Sequence, residues 1–186
     1  MTATTTETGI PGYEAATWTI DPVHSEVGFS VRHMMVSKVR GRFTRFSGEI
    51  VTAEDPAQSS VTAEIDLRSI NTGQEQRDEH IKSADFFEVE TYPTMTYRSS
   101  GIKVEDGEYV LYGDLTLKGV TRTVPLTLEL QGFGPDAYGG YRAGFTATGE
   151  LNRSDFNVSF NAPMANGGVV VGDKIQLHLE IEAVRA

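Results

Sequence analysis

No cysteine occurs among the 186 residues of the chain. That absence excludes a disulfide framework, a thiol nucleophile and a zinc-thiolate site. Long apolar runs are missing as well, because no stretch approaches the roughly 18 consecutive apolar residues that a membrane-spanning helix requires. With 39% hydrophobic and 23% charged residues, the composition is ordinary for a globular domain. We therefore predict a globular protein that is not membrane-spanning.

Positive charge is scarce. The chain has 16 Lys and Arg against 26 Asp and Glu, which gives a formal net charge of −10. Nucleic-acid binding depends on clustered cations that neutralise phosphates, so we predict no nucleic-acid partner. The basic cluster that does occur alternates with apolar residues, which is typical of the solvated face of a strand. Contact with an anionic partner is its alternative interpretation. The cluster is Lys38, Arg40, Arg42 and Arg45.

The first 16 residues are rich in Thr, Glu and Ala and lack both a basic start and an apolar core. Nothing in them resembles a secretory signal, so the expected location is the cytoplasm. A length of 186 residues suits one domain with a tail. We predict a flexible N-terminal tail over residues 1–16 and a single domain over residues 17–186.

The dominant pattern is alternation of apolar and polar residues, which places successive side chains on opposite faces of a half-buried strand. Val27, Phe29 and Val31, for example, alternate with smaller or polar residues. Several segments are long enough for strands of roughly 9 to 12 residues, above the usual five or six. The eight predicted strands cover residues 27–31, 43–50, 61–67, 93–104, 111–117, 124–130, 141–151 and 175–181.

Short turns separate the later segments. Asp106-Gly107 favours a tight hairpin, and Lys118-Gly119 indicates a second one. Residues 132–140, with Pro135 among them, indicate a third turn. These connections predict an antiparallel meander from about residue 93 to residue 152.

One segment departs from the alternation. Thr72 and Glu75 fit a capping box, which predicts a helix over residues 74–84. This segment is mostly polar, so we expect the helix to lie over the structure as a lid or plug. Phe86 and Phe87 would anchor its exit.

Eight long strands with one apolar face each favour a closed barrel, because closure buries that face and removes exposed edges. A barrel of this size is either filled by side chains or holds one ligand. The strand lengths favour a ligand, and a packed barrel that serves as a dimeric scaffold is the alternative.

A series of short motifs runs from about residue 17 to residue 184. It begins at Trp18-Thr19-Ile20-Asp21 and His24-Ser25. It continues through Gly41-x-Phe43-x-x-Phe46-x-Gly48, Arg77-Asp78-x-His80-Ile81, Asp85-Phe86-Phe87, Tyr92-Pro93, Gly113-x-Leu115-Thr116-Leu117-x-Gly119, Asn152-Arg153-Ser154-Asp155-Phe156 and Val171-Gly172-Asp173. In these motifs the sequence resembles the YceI-like family of polyisoprenoid-binding, lipocalin-like proteins. Asn157 departs from the family pattern, since a glycine is expected after Asp-Phe.

The resemblance implies an all-β fold, an extended eight-stranded antiparallel lipocalin-like barrel with one short helix between strands 3 and 4. It also implies a homodimer, and a long apolar ligand such as an isoprenoid, a quinone precursor or a fatty amide. A bound polyisoprenoid or similar lipid is expected, with no other cofactor and no enzymatic activity. Many relatives are exported, whereas this chain shows no signal. The second part of the chain, residues 17–186, would be the YceI-like β-barrel domain.

Apolar residues on the inward faces are the candidate lining of the ligand cavity, and the alternative for each of them is a packed core. The candidates are Phe29, Val31, Phe43, Phe46, Ile65, Leu67, Phe86, Phe87, Met95, Leu115, Leu117, Leu126, Leu128, Phe145 and Phe156.

Four polar residues are candidate ligand contacts: His24, His33, Arg77 and Arg153. No His-x-x-x-His or His-Glu-x-x-His spacing occurs, so we predict no metal site. For His24 a hydrogen bond within a turn is the simpler interpretation. For the two arginines, an ion pair with a neighbouring aspartate competes with contact to a ligand headgroup.

Motifs for catalysis are missing. No Gly-x-Ser-x-Gly elbow or phosphate-binding loop occurs, and the glycines of residues 132–137 lack the following helix of a dinucleotide site. We predict a binding protein. The alternative is an enzyme or stress-response factor acting on a bound isoprenoid or quinone through His24 or His33.

Overall fold

The computed structural model describes residues 8–165 and 168–186. Within these residues, eleven strands and one α-helix form. The strands are β1 Ala16–Ile20, β2 Glu26–His33, β3 Ser37–Phe43, β4 Phe46–Thr52, β5 Ser60–Asp66, β6 Ile70–Asn71, β7 Thr94–Glu105, β8 Glu108–Leu117, β9 Val120–Pro135, β10 Tyr141–Asn152 and β11 Val171–Arg185. The helix, α1, spans Glu75–Lys82. No helix in the described part of the chain is long and apolar enough to cross a bilayer.

The strands close into a ring. Antiparallel pairing runs β1-β4-β5-β7-β8-β9-β10-β11, and β11 pairs back with β1. The three remaining strands add no new positions to the ring, because each one continues a position beyond the end of another strand. β2 pairs with β11 beyond the end of β1, β3 pairs with β2, and β6 pairs with β3. The ring therefore has eight positions, which confirms the predicted eight-stranded antiparallel barrel. The helix lies between the third position, β5 with β6, and the fourth, β7.

Successive connections alternate between the two ends of the barrel, since each strand runs antiparallel to the one before it. One end, called the helix end below, carries the β2–β3 turn, the segment 72–93 with α1, the β8–β9 turn and the connection 153–170. The opposite end, called the far end, carries the connection 53–59, the β7–β8 turn and the β9–β10 turn.

The predicted strand over residues 43–50 is interrupted at Thr44 and Arg45. There the Thr44 amide donates to the Ser69 carbonyl, and the Asp66 amide donates to the Arg45 carbonyl. The interruption separates β3, which pairs with β2 and β6, from β4, which pairs with β1 and β5. The chain has to bend there to follow both sets of partners.

The predicted turn over residues 132–140 is shorter than expected, because β9 continues to Pro135. The pairing with β10 shifts register between Gly144 and Phe145, opposite Gly132. Gly132 has φ of 153°, a conformation that glycine adopts without steric cost. Gly132 therefore belongs to a bulge inside the strand, and the turn itself spans residues 136–140.

The predicted capping box is wrong. Thr72 lies two residues before the N-cap residue Gln74, which has no side-chain cap. The amide and the hydroxyl of Thr72 both donate to Asp78 Oδ1, at 2.9 and 2.5 Å. An aspartate within the first turn thus performs the anchoring that Glu75 was expected to perform, and α1 begins at Glu75.

Trp18 anchors a small core at the far end. It is fully buried, and its Nε1 donates to Thr52 Oγ1 at 2.8 Å. The segment before it, assigned by sequence to the tail, contacts the barrel through Tyr13, whose hydroxyl donates to the Ala53 carbonyl at 2.6 Å. Residues 1–7 of the predicted tail lie outside the described residues.

Candidate functional site: an apolar cavity inside the barrel

A cavity of about 470 Å³ occupies the barrel interior. This volume falls in the range of roughly 300–1,000 Å³ that is usual for small-molecule sites. Its wall extends from Ser59 and Tyr109 near the far end to His80 and Arg153 at the helix end. The side chains of this barrel therefore leave an elongated internal space, contrary to the packed-barrel alternative.

The wall is made by alternate residues of each strand. On β11, Ile175, Leu177 and Leu179 line the cavity, whereas Gln176 and His178 are exposed outside. Leu177 and Leu179 are only half-buried although they point inward, because they face open volume. The period of two that predicted the strands thus also separates the cavity wall from the outer surface.

Thirteen of the fifteen predicted apolar residues lie on this wall. They are Phe29, Val31, Phe43, Phe46, Ile65, Phe86, Phe87, Met95, Leu115, Leu117, Leu126, Leu128 and Phe145. Leu67 and Phe156 do not lie on it. Both are buried in 3₁₀ turns, Leu67–Ser69 and Arg153–Phe156, where the alternation of a strand no longer sets the direction of a side chain.

Two glycines keep aromatic rings flat against the wall. A Cβ on Gly41 would lie 2.4 Å from Phe29 Cζ, and one on Gly113 would lie 2.3 Å from Tyr97 Cζ. Each ring therefore covers a glycine on the adjacent strand instead of projecting into the cavity. The Tyr97 hydroxyl donates to the Val124 carbonyl at 2.8 Å, and burial raises the pKa of this phenol, so that it stays uncharged at neutral pH.

Tyr97 was missed by sequence reasoning. A glycine inside a strand marks a place where another group approaches closely, and that signal is present at Gly113. The strand register is needed to identify the approaching group. Tyr13, His80 and Phe160 also line the cavity. His80 belongs to one of the family motifs, whereas no local pattern in the sequence identifies Tyr13 or Phe160.

The segment around α1 covers the helix end of the cavity. The Phe86 ring lies 5.1 Å from the His80 ring and 5.3 Å from the Phe160 ring, between centroids. The Phe87 ring lies 6.2 Å from the Phe43 ring. Phe86, Phe87 and Ile81 all contribute to the wall. The helix and its exit therefore lie where a lid was predicted.

Arg153 is a buried cation at the helix end, with 5% of its surface exposed. Its Nε donates to the Gly172 carbonyl at 2.9 Å, its Nη1 to the carbonyls of Val158 and Phe160 at 2.8 Å each, and its Nη2 to Val171 at 3.2 Å. Burial lowers the pKa of this guanidinium. The expected ion pair with an aspartate is not formed within the described residues, since four main-chain carbonyls bind the charge instead.

Arg77 and His33 also line the cavity. The Nε of Arg77 donates to Thr72 Oγ1 and its Nη2 donates to the Thr72 carbonyl, both at 2.7 Å. Asp78 accepts hydrogen bonds from Thr72 and does not pair with Arg77. Three of the four predicted polar residues are therefore brought together along one cavity.

His24 lies outside the cavity. Its Nδ1 is 2.7 Å from Asp21 Oδ2, within a turn, as the simpler interpretation predicted. Asp21, His24 and Glu182 bring three potential metal-ligating atoms together. However, Arg142 Nη1 donates to both carboxylates at 2.8 Å. The guanidinium therefore already occupies both carboxylates and offsets part of the charge that would attract a metal ion.

The same cluster predicts a pH-dependent stability. The hydrogen bond with His24, followed by that from Arg142, lowers the pKa of Asp21 to about 2. The unfolded chain has the ordinary value of about 4, so ionised Asp21 stabilises the fold above pH 4 and loses this effect as the pH falls through 2. We expect Asp21→Asn to lower the free energy of unfolding by about 1 kcal/mol at pH 7, after allowance for solvent screening.

Urea unfolding followed by Trp18 fluorescence at several pH values checks this expectation. The difference between the variant and the original protein is expected to shrink steadily between pH 4 and pH 2. Asp155→Asn, at an exposed aspartate without an ion pair among the described residues, is the matched control. A difference that is constant over this pH range would contradict the role of the Asp21 charge.

The fold and the cavity define a closed antiparallel barrel of the lipocalin-like type with an internal apolar cavity. The family model of the YceI-like domain matches residues 18–183. The chain therefore belongs to the YceI-like family.

Two relatives agree with this assignment. A UPF0312 protein of Photorhabdus laumondii is 42% identical over 135 residues, covering 72% of this chain and 70% of that protein. Protein YceI of Escherichia coli O157:H7 is 36% identical over 163 residues, covering 87% of this chain and 82% of that protein.

Solved structures share the fold. BcnA of Burkholderia cenocepacia superimposes with a TM-score of 0.75 at 25% identity, covering 88% of this chain and 98% of that one. A polyisoprenoid binding domain from Saccharophagus degradans, implicated in plant cell wall breakdown, superimposes with a TM-score of 0.67 at 17% identity, covering 93% of this chain and all of that one.

Proposed function

We propose that the barrel binds one elongated apolar molecule, an isoprenoid, a quinone precursor or a fatty amide, and stores or carries it unchanged. The observation that carries the proposal is the internal cavity of about 470 Å³ with a wall of alternating apolar residues. Transfer of each methylene group from water to such a wall is favourable by about 0.8 kcal/mol. A long chain therefore gains affinity along its whole length.

The distribution of polar groups favours a ligand with one polar end. His33, Arg77 and His80 lie on the cavity wall toward the helix end, whereas the middle of the wall is formed by residues such as Leu126 and Leu179. A headgroup would meet hydrogen-bond donors at the helix end, with the chain extended toward the far end. The family membership and the polyisoprenoid binding domain of similar fold support an isoprenoid among the candidates.

Two features favour binding over catalysis. His24, one of the two candidate catalytic histidines, lies outside the cavity. His33 lies on the wall, but its side chain has no hydrogen-bond partner within the described residues, and so it lacks the second group that orients a general base. We therefore propose a binding protein without enzymatic activity and without a cofactor other than its ligand.

Organic extraction of the purified protein followed by mass spectrometry tests the proposal. We expect about one lipid molecule per chain, or uptake of added geranylgeraniol to that stoichiometry by a protein purified without lipid. The lipid is expected to leave with its mass unchanged. Absence of both copurified lipid and uptake would overturn the proposal, and a chemically altered lipid would favour the enzyme.

The homodimer and the cytoplasmic location stay predictions that accompany this proposal. Light scattering after size-exclusion chromatography tests the first, with twice the chain mass of 20.3 kDa as the expected result. Fractionation of cells that produce the protein tests the second.

A further inference from the structure

The hairpin of β2 and β3 carries an apolar tip that the cavity does not explain. At this tip Met35 is 58% exposed and Val36 is 83% exposed. Val169 is also exposed and lies beside the tip, because the Met34 amide donates to the Val170 carbonyl at 2.7 Å. Neighbouring exposed apolar side chains are typical of an interaction surface. The apolar tip is defined here as Met34, Met35, Val36 and Val169.

The turn itself is formed by residues that do not favour it. Met34 and Met35 have φ of 50° and 62°, and two consecutive residues with positive φ are usually Asn, Asp or Gly. An apolar side chain at such a position is strained and exposed at the same time. Local folding therefore gives no reason for the two methionines, which points to a contact made by their side chains.

The outer face of the hairpin is basic. It presents four exposed cations, and two of them stand directly opposite each other across the strands, which is unfavourable for the hairpin alone. Within the described residues, none of the four forms an ion pair or a side-chain hydrogen bond. Residues 27–48 contain no Asp or Glu, although the chain has 26 of them. The basic face is Arg32, Lys38, Arg40 and Arg42.

We propose that this hairpin docks the protein on an anionic lipid bilayer. The apolar tip would enter the headgroup region, and the basic face would lie against the lipid phosphates. An apolar edge flanked by Lys and Arg is the combination that binds such interfaces. Because the net charge of the chain is −10, an anionic surface repels the rest of the molecule, so that only this face can approach it.

Other partners fit the hairpin less well. A second copy docked through the same hairpin would place four unpaired cations against four identical ones. Single-stranded nucleic acid is bound by exposed aromatic side chains on which bases stack, and the apolar tip has none. The helix α1 on the same end of the barrel carries the exposed Glu75 and Glu79, so the hairpin, and not the whole helix end, faces the bilayer.

Docking at this face would bring the cavity close to the bilayer. Val31, His33 and Val39 belong to the hairpin and line the cavity, and they lie next to the apolar tip. The docking proposal rests on its own observations and does not require the proposed ligand. If the proposed function is also correct, the hairpin is the place where a lipid would be exchanged with the membrane.

Co-sedimentation with vesicles tests the docking. We expect binding to vesicles of phosphatidylcholine with 30% phosphatidylglycerol to exceed binding to pure phosphatidylcholine by tenfold or more, and to weaken as NaCl is raised above 0.1 M. Each cation near an anionic surface contributes roughly a fivefold gain in binding. The variant K38Q/R40Q/R42Q is therefore expected to lose binding at least tenfold, and M35S/V36S to lose several-fold.

The matched control is R98Q/K103Q/R122Q, which has the same net charge as K38Q/R40Q/R42Q but retains the basic face. It is expected to bind vesicles like the original protein, while far-UV circular dichroism shows that all variants are folded. Equal losses in the two triple variants would overturn docking at the hairpin, as would equal binding to neutral and anionic vesicles. Dissociation of a dimer in M35S/V36S without vesicles would assign the tip to a second copy instead.

The absence of cysteine allows a second measurement. A single cysteine replaces Val36 in V36C, or Val104 in the control V104C, and is labelled with the environment-sensitive dye NBD. Val104 is 66% exposed and lies near the far end. Anionic vesicles are expected to increase and blue-shift the emission at position 36 alone. Vesicle binding by an original protein that carries no lipid and takes up no geranylgeraniol would support docking while overturning the proposed function.

Discussion

Replacing Arg153 by methionine is expected to lower the free energy of unfolding by about 3–5 kcal/mol. Methionine fills most of the volume but donates no hydrogen bond. The four carbonyls that Arg153 now binds would each lose a hydrogen bond in a buried or half-buried setting, although the Val171 carbonyl would keep the Asn161 side-chain amide as a donor. They belong to both the segment 158–160 and the start of β11. Urea unfolding followed by the fluorescence of Trp18, the single tryptophan, measures the loss.

Two controls separate hydrogen bonding from charge. Arg153→Lys keeps the charge but cannot reach carbonyls in several directions from one ammonium group, so we expect it to recover only part of the loss. Arg98→Met removes an exposed arginine and is expected to change the stability by less than about 0.5 kcal/mol. A loss below 1 kcal/mol in Arg153→Met would contradict the structural role assigned to the guanidinium.

The eight positions of the barrel were predictable because each strand has one buried face. The alternation from Val61 to Ile65, for example, depends only on neighbours in the sequence, and it fixes which side chains face inward. The same rule failed at Leu67, where the strand has already ended and a 3₁₀ turn begins. Alternation identifies the strand but does not say where it ends.

Features that depend on distant partners were not predictable. Tyr13 was assigned to a tail because its partner, the Ala53 carbonyl, lies 40 residues away. The choice between a filled and an open barrel depends on rings lying over glycines of the next strand, as Phe29 does over Gly41. That arrangement requires the strand register, which is set by the pairing of the whole ring.

The basic cluster shows how structure decides between interpretations that sequence leaves open. Arg45 forms an ion pair with Asp66 at 3.0 Å and is part of an ordinary solvated surface. Lys38, Arg40 and Arg42 are exposed and form no ion pair within the described ranges, beside an exposed apolar turn. All four cations lie within eight residues of the sequence, and the position of the acidic partner Asp66 is what separates Arg45 from Lys38, Arg40 and Arg42.

The second large effect is expected at the cavity wall. Leu177 points into the cavity and is half-buried, so Leu177→Asp places a carboxylate against the bound chain. Without ligand this carboxylate would face the open volume of the cavity, because Leu177 is only half-buried, and we expect the barrel to remain folded. With ligand it would be buried without a partner, which costs several kcal/mol. Binding is expected to weaken by about a hundredfold or more.

Fluorescence of N-phenyl-1-naphthylamine, displaced by geranylgeraniol, measures this loss. Gln176→Asp is the matched control, since it adds the same charge one residue away on the exposed outer face. It is expected to bind both molecules like the original protein. Because adjacent residues of β11 alternate between the cavity and solvent, the two variants differ mainly in the side of the sheet that receives the carboxylate. Equal affinity in both variants would place the binding site outside the barrel.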